Sequence, residues 1–138
     1  IGFDEVIYLD AKNENQVEET SSANIFVVKN NILKTPALKG SILEGVTRDS
    51  IITIAKHVHK LDVIEDVITV HDLINADEVF CTGTAVVVTP IGKINHNGKE
   101  KIICGNSIGP ITNMLRKSLI QIQLQDVPDP FNWVKRLV

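Results

Sequence analysis

Three short segments carry residues of a kind that can hold an anion or steer a proton. In Glu44–Ser50 (EGVTRDS), Gly45 and the backbone of Val46 and Thr47 stand where a helix begins. The first amides of a helix lack intrahelical acceptors and its positive dipole end lies there, so this start can bind a phosphate, with the Thr47 hydroxyl as a further donor. The same residues fit a helix capped by Thr47 with a glycine in its entry turn. In Cys81–Ala85 (CTGTA), small and hydroxylic residues interrupt an apolar run. That composition lets backbone amides approach an anion closely, and it equally suits a bulge or bend between strands. In Val17–Phe26 (VEETSSANIF), Glu18 and Glu19 precede small polar residues leading into a strand. If strand alternation persists, one carboxylate faces solvent and the other inward, where it needs a cationic partner; the same residues fit an exposed charge pair at a strand entry.

Other chemistry has little to stand on. His57 and His59 are two residues apart, which on a helix separates them by about 200° and prevents a shared metal. His71 and His96 stand singly in polar, turn-like segments, so no metal site is expected. The sequence contains no GxSxG nucleophile elbow, no HExxH, no GxxxxGK[ST] and no GxGxxG. A net charge of -3 gives no electrostatic basis for nucleic acid or an anionic membrane as main partner. Six aromatic residues leave no stacking surface for bases. Apolar runs such as Ala85–Val88 are far short of a membrane span. Cys81 and Cys104 lack metal-type spacing, and a reduced intracellular compartment is the simpler reading.

The elements that must position these segments follow from composition and period. A chain of 138 residues supports one domain and one sizeable core. With 19 Ile, 16 Val and 9 Thr, β-branched residues dominate, and the expectation is a β-rich α+β domain. The opening IGFDEVIYLDA already reads as strand and suggests a cut through a larger protein. NIFVVK (residues 24–29) and ILKTP (residues 32–36) flank Asn30-Asn31, a tight hairpin turn because Asn tolerates positive φ. Ile51, Ile52, Ala55 and Val58 form the stripe of an amphipathic helix. Val63–Val70 reads as one strand, HDLINADE as a short helix or turn, and the AVVV run as a strand buried on both faces. Asn97-Gly98 marks a second hairpin. Pro110 opens a second main helix with Ile111, Met114, Leu115, Ser118, Leu119 and Ile122 on one face. The tail VPDPFNWVKRLV wraps the surface with Trp133 as anchor.

In order and spacing, VEETSSANIFVVKNNILKTP, GSILEGVTRDSI and ADEVFCTGTAVVVTPIG resemble the C-terminal part of the fold-type IV pyridoxal-phosphate aminotransferases, most closely the plant-type branched-chain amino acid aminotransferases. The resemblance runs from about Phe3 to the last helix. It implies the β-rich large domain of that fold, with residues 1–138 as the C-terminal domain and the N-terminal domain absent. It implies that Glu19 faces the pyridine nitrogen of pyridoxal 5′-phosphate and keeps it protonated. Leu43 matches the apolar contact on the ring, Gly45, Val46 and Thr47 match the phosphate cup, and Thr84 matches the residue that closes it. The Thr84–Ala85 backbone matches the turn that receives the substrate carboxylate, and Ser22 sits near the ring.

The resemblance also marks departures. Glu44 stands where the family commonly has Pro, and Thr20 and Ala23 differ from the commoner residues. The family's Schiff-base lysine falls upstream of Ile1, and none of the 11 lysines takes its place, so no catalytic residue is expected in this chain. The implied function is a transaminase for leucine, isoleucine and valine with 2-oxoglutarate, here as a domain inactive alone. A non-catalytic remnant that binds pyridoxal phosphate or a partner subunit is an alternative. A D-amino acid transaminase or an aminodeoxychorismate lyase is another. The resemblance implies a homodimer where the family interface is kept, and it leaves plastid, mitochondrion and cytosol undistinguished.

Overall fold

A computed structural model describes residues 2–135 and 137. The strands are β1 (Ile7–Leu9), β2 (Gln16–Thr20), β3 (Asn24–Lys29), β4 (Ile32–Thr35), β5 (Val63–Glu65), β6 (Ile68–Thr69), β7 (Glu78–Gly83), β8 (Val87–Pro90), β9 (Lys93–His96) and β10 (Lys99–Ile102). The helices are α1 (Val46–His57), α2 (Val70–Ile74) and α3 (Pro110–Gln123). A five-stranded sheet in the order β5-β4-β3-β7-β8 forms the centre. Its β4 and β5 are parallel, with α1 between them in sequence, and its other pairs are antiparallel. A three-stranded sheet, β1-β2-β6, and the β9–β10 hairpin complete the strands.

The middle strand explains why the sheet holds together. Along β3, Phe26 and Val28 join Phe80, Ile51, Ile54, Leu115 and Leu119 in one core, on the side of α1 and α3. Ile25 and Val27 point the other way and join Val17, Ile68, Leu73 and Val79 in a second core. Strand alternation therefore splits one apolar run between two cores. The Phe26 and Phe80 rings, directly opposite in register, stack with centroids 5.0 Å apart. The run buried on both faces is thus NIFVV and not AVVV. Ala85 is exposed and Val86 half-buried, because they form the turn out of β7, and β8 is an edge strand with only Val88 fully inside.

Local signals account for most boundaries. Asn30 (φ 50°) and Asn31 (φ 62°), and then Asn97 (φ 51°) and Gly98 (φ 78°), make the two expected hairpin turns. The segment from Val63 to Val70 is not one strand. It divides into β5 and β6 in different sheets, and Val70 turns into α2 because Thr69 and Asp72 form a capping box. The Thr69 amide holds the Asp72 carboxyl below its ordinary range. The α1 stripe buries Ile51, Ile52 and Ala55 and adds Ile54, while Val58 is exposed where the helix ends. The face of α3 is as expected, with Ile111, Leu115, Leu119 and Ile122 buried.

The start of α3 rests on a residue that periodicity does not reveal. The buried Glu78 accepts hydrogen bonds from Ile111 N (3.0 Å), Thr112 N (2.8 Å) and Thr112 Oγ1 (2.7 Å). A carboxylate there answers both the orphan amides and the positive helix end. Any side chain at Gly109 would overlap it. The tail packs through Val127, Phe131 and Val134. Trp133 is not the anchor: it is exposed and stacks on Phe131, with centroids 4.4 Å apart. Arg136 and Val138 of that tail lie outside the described residues. Among the described residues no helix is long and apolar enough to cross a membrane.

Candidate functional site

The three segments meet at one end of the five-stranded sheet, where β3 starts and β7 finishes. Helix α1 begins there with Gly45 at its N-cap, extended at φ -68° and ψ 131°, and without any side-chain cap. Thr47 is the second residue inside the helix, so the Thr-capped alternative does not hold and the first amides stay open. Val46 is 83% exposed and Leu43 72% exposed, so both present apolar surface outward. Glu44 is exposed too.

Glu19 reaches this entry from β2. Its Oε2 accepts from the amide of Leu43 at 3.2 Å, while Glu18 accepts from Ser41 Oγ at 2.6 Å. The expectation that one carboxylate turns inward to a cation is corrected, because both are half-buried and both hold the segment leading to α1. The reason is a register irregularity. Ile7 and Leu9 of β1 face Thr20 and Val17 of β2, so an extra residue is accommodated between two buried positions. Such a bulge breaks strict alternation and puts neighbouring carboxylates on similar footing.

The opposite wall comes from β3 and β7. Asn24 is directly across from Thr82. Asn24 is 4% exposed, and its Nδ2 donates to the Leu43 carbonyl at 2.8 Å. Its Oδ1 lies where a Cβ on Gly45 would stand, so the backbone approach requires glycine. Thr82 is 1% exposed, and its hydroxyl is buried with no hydrogen-bond partner. Beyond β7, Gly83 packs against the Ser22 carbonyl and Ala23, which brings the Thr84–Ala85 turn beside Ser22. Thr84, Ala85 and Ser22 are exposed, and Ser22 Oγ donates to Glu5 Oε2 at 2.6 Å, with Ser21 bonded to the same carboxylate. Val87, which closes the turn, has φ 57°. That conformation is strained for a β-branched residue and is held here by the surrounding strands.

Other chemically capable groups are occupied elsewhere. Arg48 is buried and donates from Nη2 to the Pro36 carbonyl (3.0 Å) and to Glu65 (3.0 Å), which ties the start of α1 to the ends of β4 and β5. Lys29 pairs with Asp77 at the far end of β3, and Lys56 with Glu65 from the last turn of α1. Burial pushes the Cys81 thiol up to about 11, with the charge of Glu5 adding to it, so it is no nucleophile at neutral pH. Among the described residues no group of His, Cys, Asp or Glu could hold a metal ion.

Glu19, Ser22, Leu43, Gly45, Val46, Thr47, Thr84 and Ala85, which the resemblance assigns to one site, lie together at this end of the sheet. Asn24, Arg48 and Thr82 stand beside them and were not among the residues expected there. The available signal for Asn24 was its type, since Asn is depleted in strand interiors. Arg48 reads as a solvated helix charge until the strand ends are in place.

Residues 1–94 match the family model described as amino-transferase class IV. The chain belongs to that family. It is 43% identical over 136 residues to the chloroplastic branched-chain amino acid aminotransferase 2 of Humulus lupulus, with 99% of this chain and 33% of that protein covered. Among solved structures, this class IV chain is similar to the branched-chain amino acid aminotransferase of Escherichia coli, with TM-score 0.88 and 31% identity over 98% of this chain and 43% of that one. It is likewise similar to the branched-chain amino acid aminotransferase of Thermobaculum terrenum in its PLP-form, with TM-score 0.74 and 31% identity over 88% and 38% of the two chains. The class IV chain spans about a third of the length of the curated relatives it matches. Its β-rich α+β architecture with two main helices, α1 and α3, is the one those aminotransferase structures have.

Proposed function

We propose that residues 1–138 are the C-terminal, large domain of a branched-chain amino acid transaminase and that its uncapped α1 start cradles pyridoxal 5′-phosphate. The observation that carries the reading is the meeting of Glu19, the Leu43 segment and the open N-terminus of α1 at one sheet end. One detail fits the phosphate: the Gly45 N-cap has no side-chain acceptor, so the first amides of α1 carry no cap of the chain's own. The amides of Val46 and Thr47, with the Thr47 hydroxyl, hold the phosphate dianion against the helix dipole. Thr84 closes that cup from the end of β7. Glu44, being exposed, can keep its carboxylate in solvent and away from the dianion.

Glu19 holds the proton on the pyridine nitrogen, and Leu43 covers the ring with apolar surface. The Thr84–Ala85 backbone orients the carboxylate of a leucine, isoleucine or valine substrate or its 2-oxo acid, and Ser22 borders the ring. When bound, the cofactor supplies the electron sink and carries the amino group between substrates. The same reading assigns no covalent lysine among residues 1–138 and includes a homodimer as the working form. The names of the similar proteins support branched-chain substrates.

The test is binding followed by turnover. The chain should bind pyridoxal 5′-phosphate, Thr47→Ala should weaken both it and inorganic phosphate, and Glu19→Gln should weaken only the former. Residues 1–138 alone should not transfer amino groups from branched-chain amino acids to 2-oxoglutarate. Binding that ignores Thr47→Ala would overturn the assignment, and turnover by the chain alone would overturn the claim that no catalytic lysine lies in it.

A further inference from the structure

The segment that carries the ring contact and the cup is held almost without hydrophobic packing. Leu43 and Val46 are 72% and 83% exposed, and Glu44 between them is exposed as well. Burial of apolar area, the usual force that fixes a loop, therefore contributes little at these residues. What remains is polar and converges on one residue. The Leu43 amide donates to Glu19 Oε2 at 3.2 Å. The Leu43 carbonyl accepts from Asn24 Nδ2 at 2.8 Å and from the Gly45 amide at 2.9 Å.

The bond from Gly45 to Leu43 closes a three-residue turn centred on Glu44, and a turn of that size has a single internal hydrogen bond to hold it. Asn24 supplies the second bond to the same carbonyl and stands against Gly45 with its Oδ1. Asn24 itself cannot drift, being 4% exposed at the start of the most buried strand.

We propose that Asn24 is a positioning residue of this site: with Glu19 it clamps the amide and carbonyl of Leu43, and so sets the distance between the ring carboxylate and the first amides of α1. The proposal rests on the cofactor reading above, since what the clamp spaces are the two ends of that ligand. Its geometric basis stands apart from that reading, because the clamp can be seen in the free chain.

The experiment uses the full chain and three readouts: amide hydrogen exchange, affinity for pyridoxal 5′-phosphate, and affinity for inorganic phosphate. In Asn24→Leu, which keeps the branched outline and removes the donor, the amides of Leu43 and Gly45 should exchange at least about tenfold faster, while those of Phe26 and Val27 in the sheet keep their protection. Pyridoxal 5′-phosphate should bind about tenfold more weakly. In combination with Glu19→Gln the losses should be less than additive, because both act through Leu43. A structural role alone would speed all four amides together, and that result overturns the proposal, as does unchanged binding in Asn24→Leu.

Should Asn24→Leu fail to fold, Asn24→Ala removes the donor without adding volume against Gly45. The wild-type chain also decides: a Leu43 amide that exchanges as fast as that of exposed Glu44 refutes the clamp. A wild-type chain with a protected Leu43 amide that binds neither ligand supports the clamp and refutes the cofactor reading.

Discussion

Replacing Gly45 by alanine is a one-atom test of how tightly the start of α1 sits on the sheet. At φ -68° and ψ 131° an alanine backbone is unstrained, and the loss of unfolded-chain freedom would favour it by about 0.4–1 kcal/mol. The new Cβ would instead overlap Asn24 Oδ1, with Asn24 Cγ 3.4 Å and Arg48 Cβ 3.5 Å away. Asn24 is buried and bonded to Leu43, and Arg48 is buried and bonded to Pro36 and Glu65, so neither can yield freely. Breaking the Asn24 bond costs about 0.5–1.5 kcal/mol and overpacking about 1–3 kcal/mol. The net is a destabilisation of about 2.5 kcal/mol, or roughly 10 °C in Tm for a domain of this size. Gly83→Ala is the control, because its Cβ meets only ordinary contacts at 3.4 to 3.6 Å at the same end of the sheet. Thermal unfolding followed by circular dichroism measures both. Equal melting temperatures for the two variants, within about 2 °C, would refute the close approach of α1 to β3.

Three further outcomes follow from two buried groups. Glu78→Gln removes the charge that caps α3 and leaves one of its bonded donors without an acceptor, so it should lower stability by about 1.5–3 kcal/mol in urea unfolding; an unshifted midpoint would show that Glu78 is not the cap. Cys81 should resist alkylation at pH 8 relative to Cys104, since burial pushes its thiol from 9.0 up to about 11. The sign for stability follows: the folded chain holds this proton more tightly than the unfolded one, so the contribution is fully present below pH 9.0 and is lost as pH rises through about 11. Replacing Cys81 by alanine should therefore flatten the alkaline limb of stability against pH, and an unchanged limb counts against it.

Much of the architecture was legible because it is written in local chemistry. The Asn30-Asn31 and Asn97-Gly98 turns follow from residues that accept positive φ, and α3 from proline at its first position and a stripe at helical period. The site segments were not legible in the same way: a glycine before a helix start and small residues between strands fit a capped helix and a bend equally well, and only the family resemblance joined them into one proposed site. Misreadings fell where packing outranks pattern. Val63–Val70 looks like one β-branched strand, and only the capping box at Thr69 shows where it turns. AVVV is as apolar as a central strand and lies at an edge, because apolar character does not tell a strand how many neighbours it has.

By itself, then, the sequence determined the two hairpin turns, the two main helices and the buried run of β3, since each depends on neighbours in the chain. Tertiary structure alone decided that Glu19 bonds the Leu43 amide, that Asn24 meets Gly45, that Thr82 is buried without a partner and that Glu78 caps a helix 32 residues away at Pro110. These are hydrogen bonds and close approaches between residues distant in sequence. Their geometry depends on the bulge in β2 and on the β3–β7 register, and no local period records either.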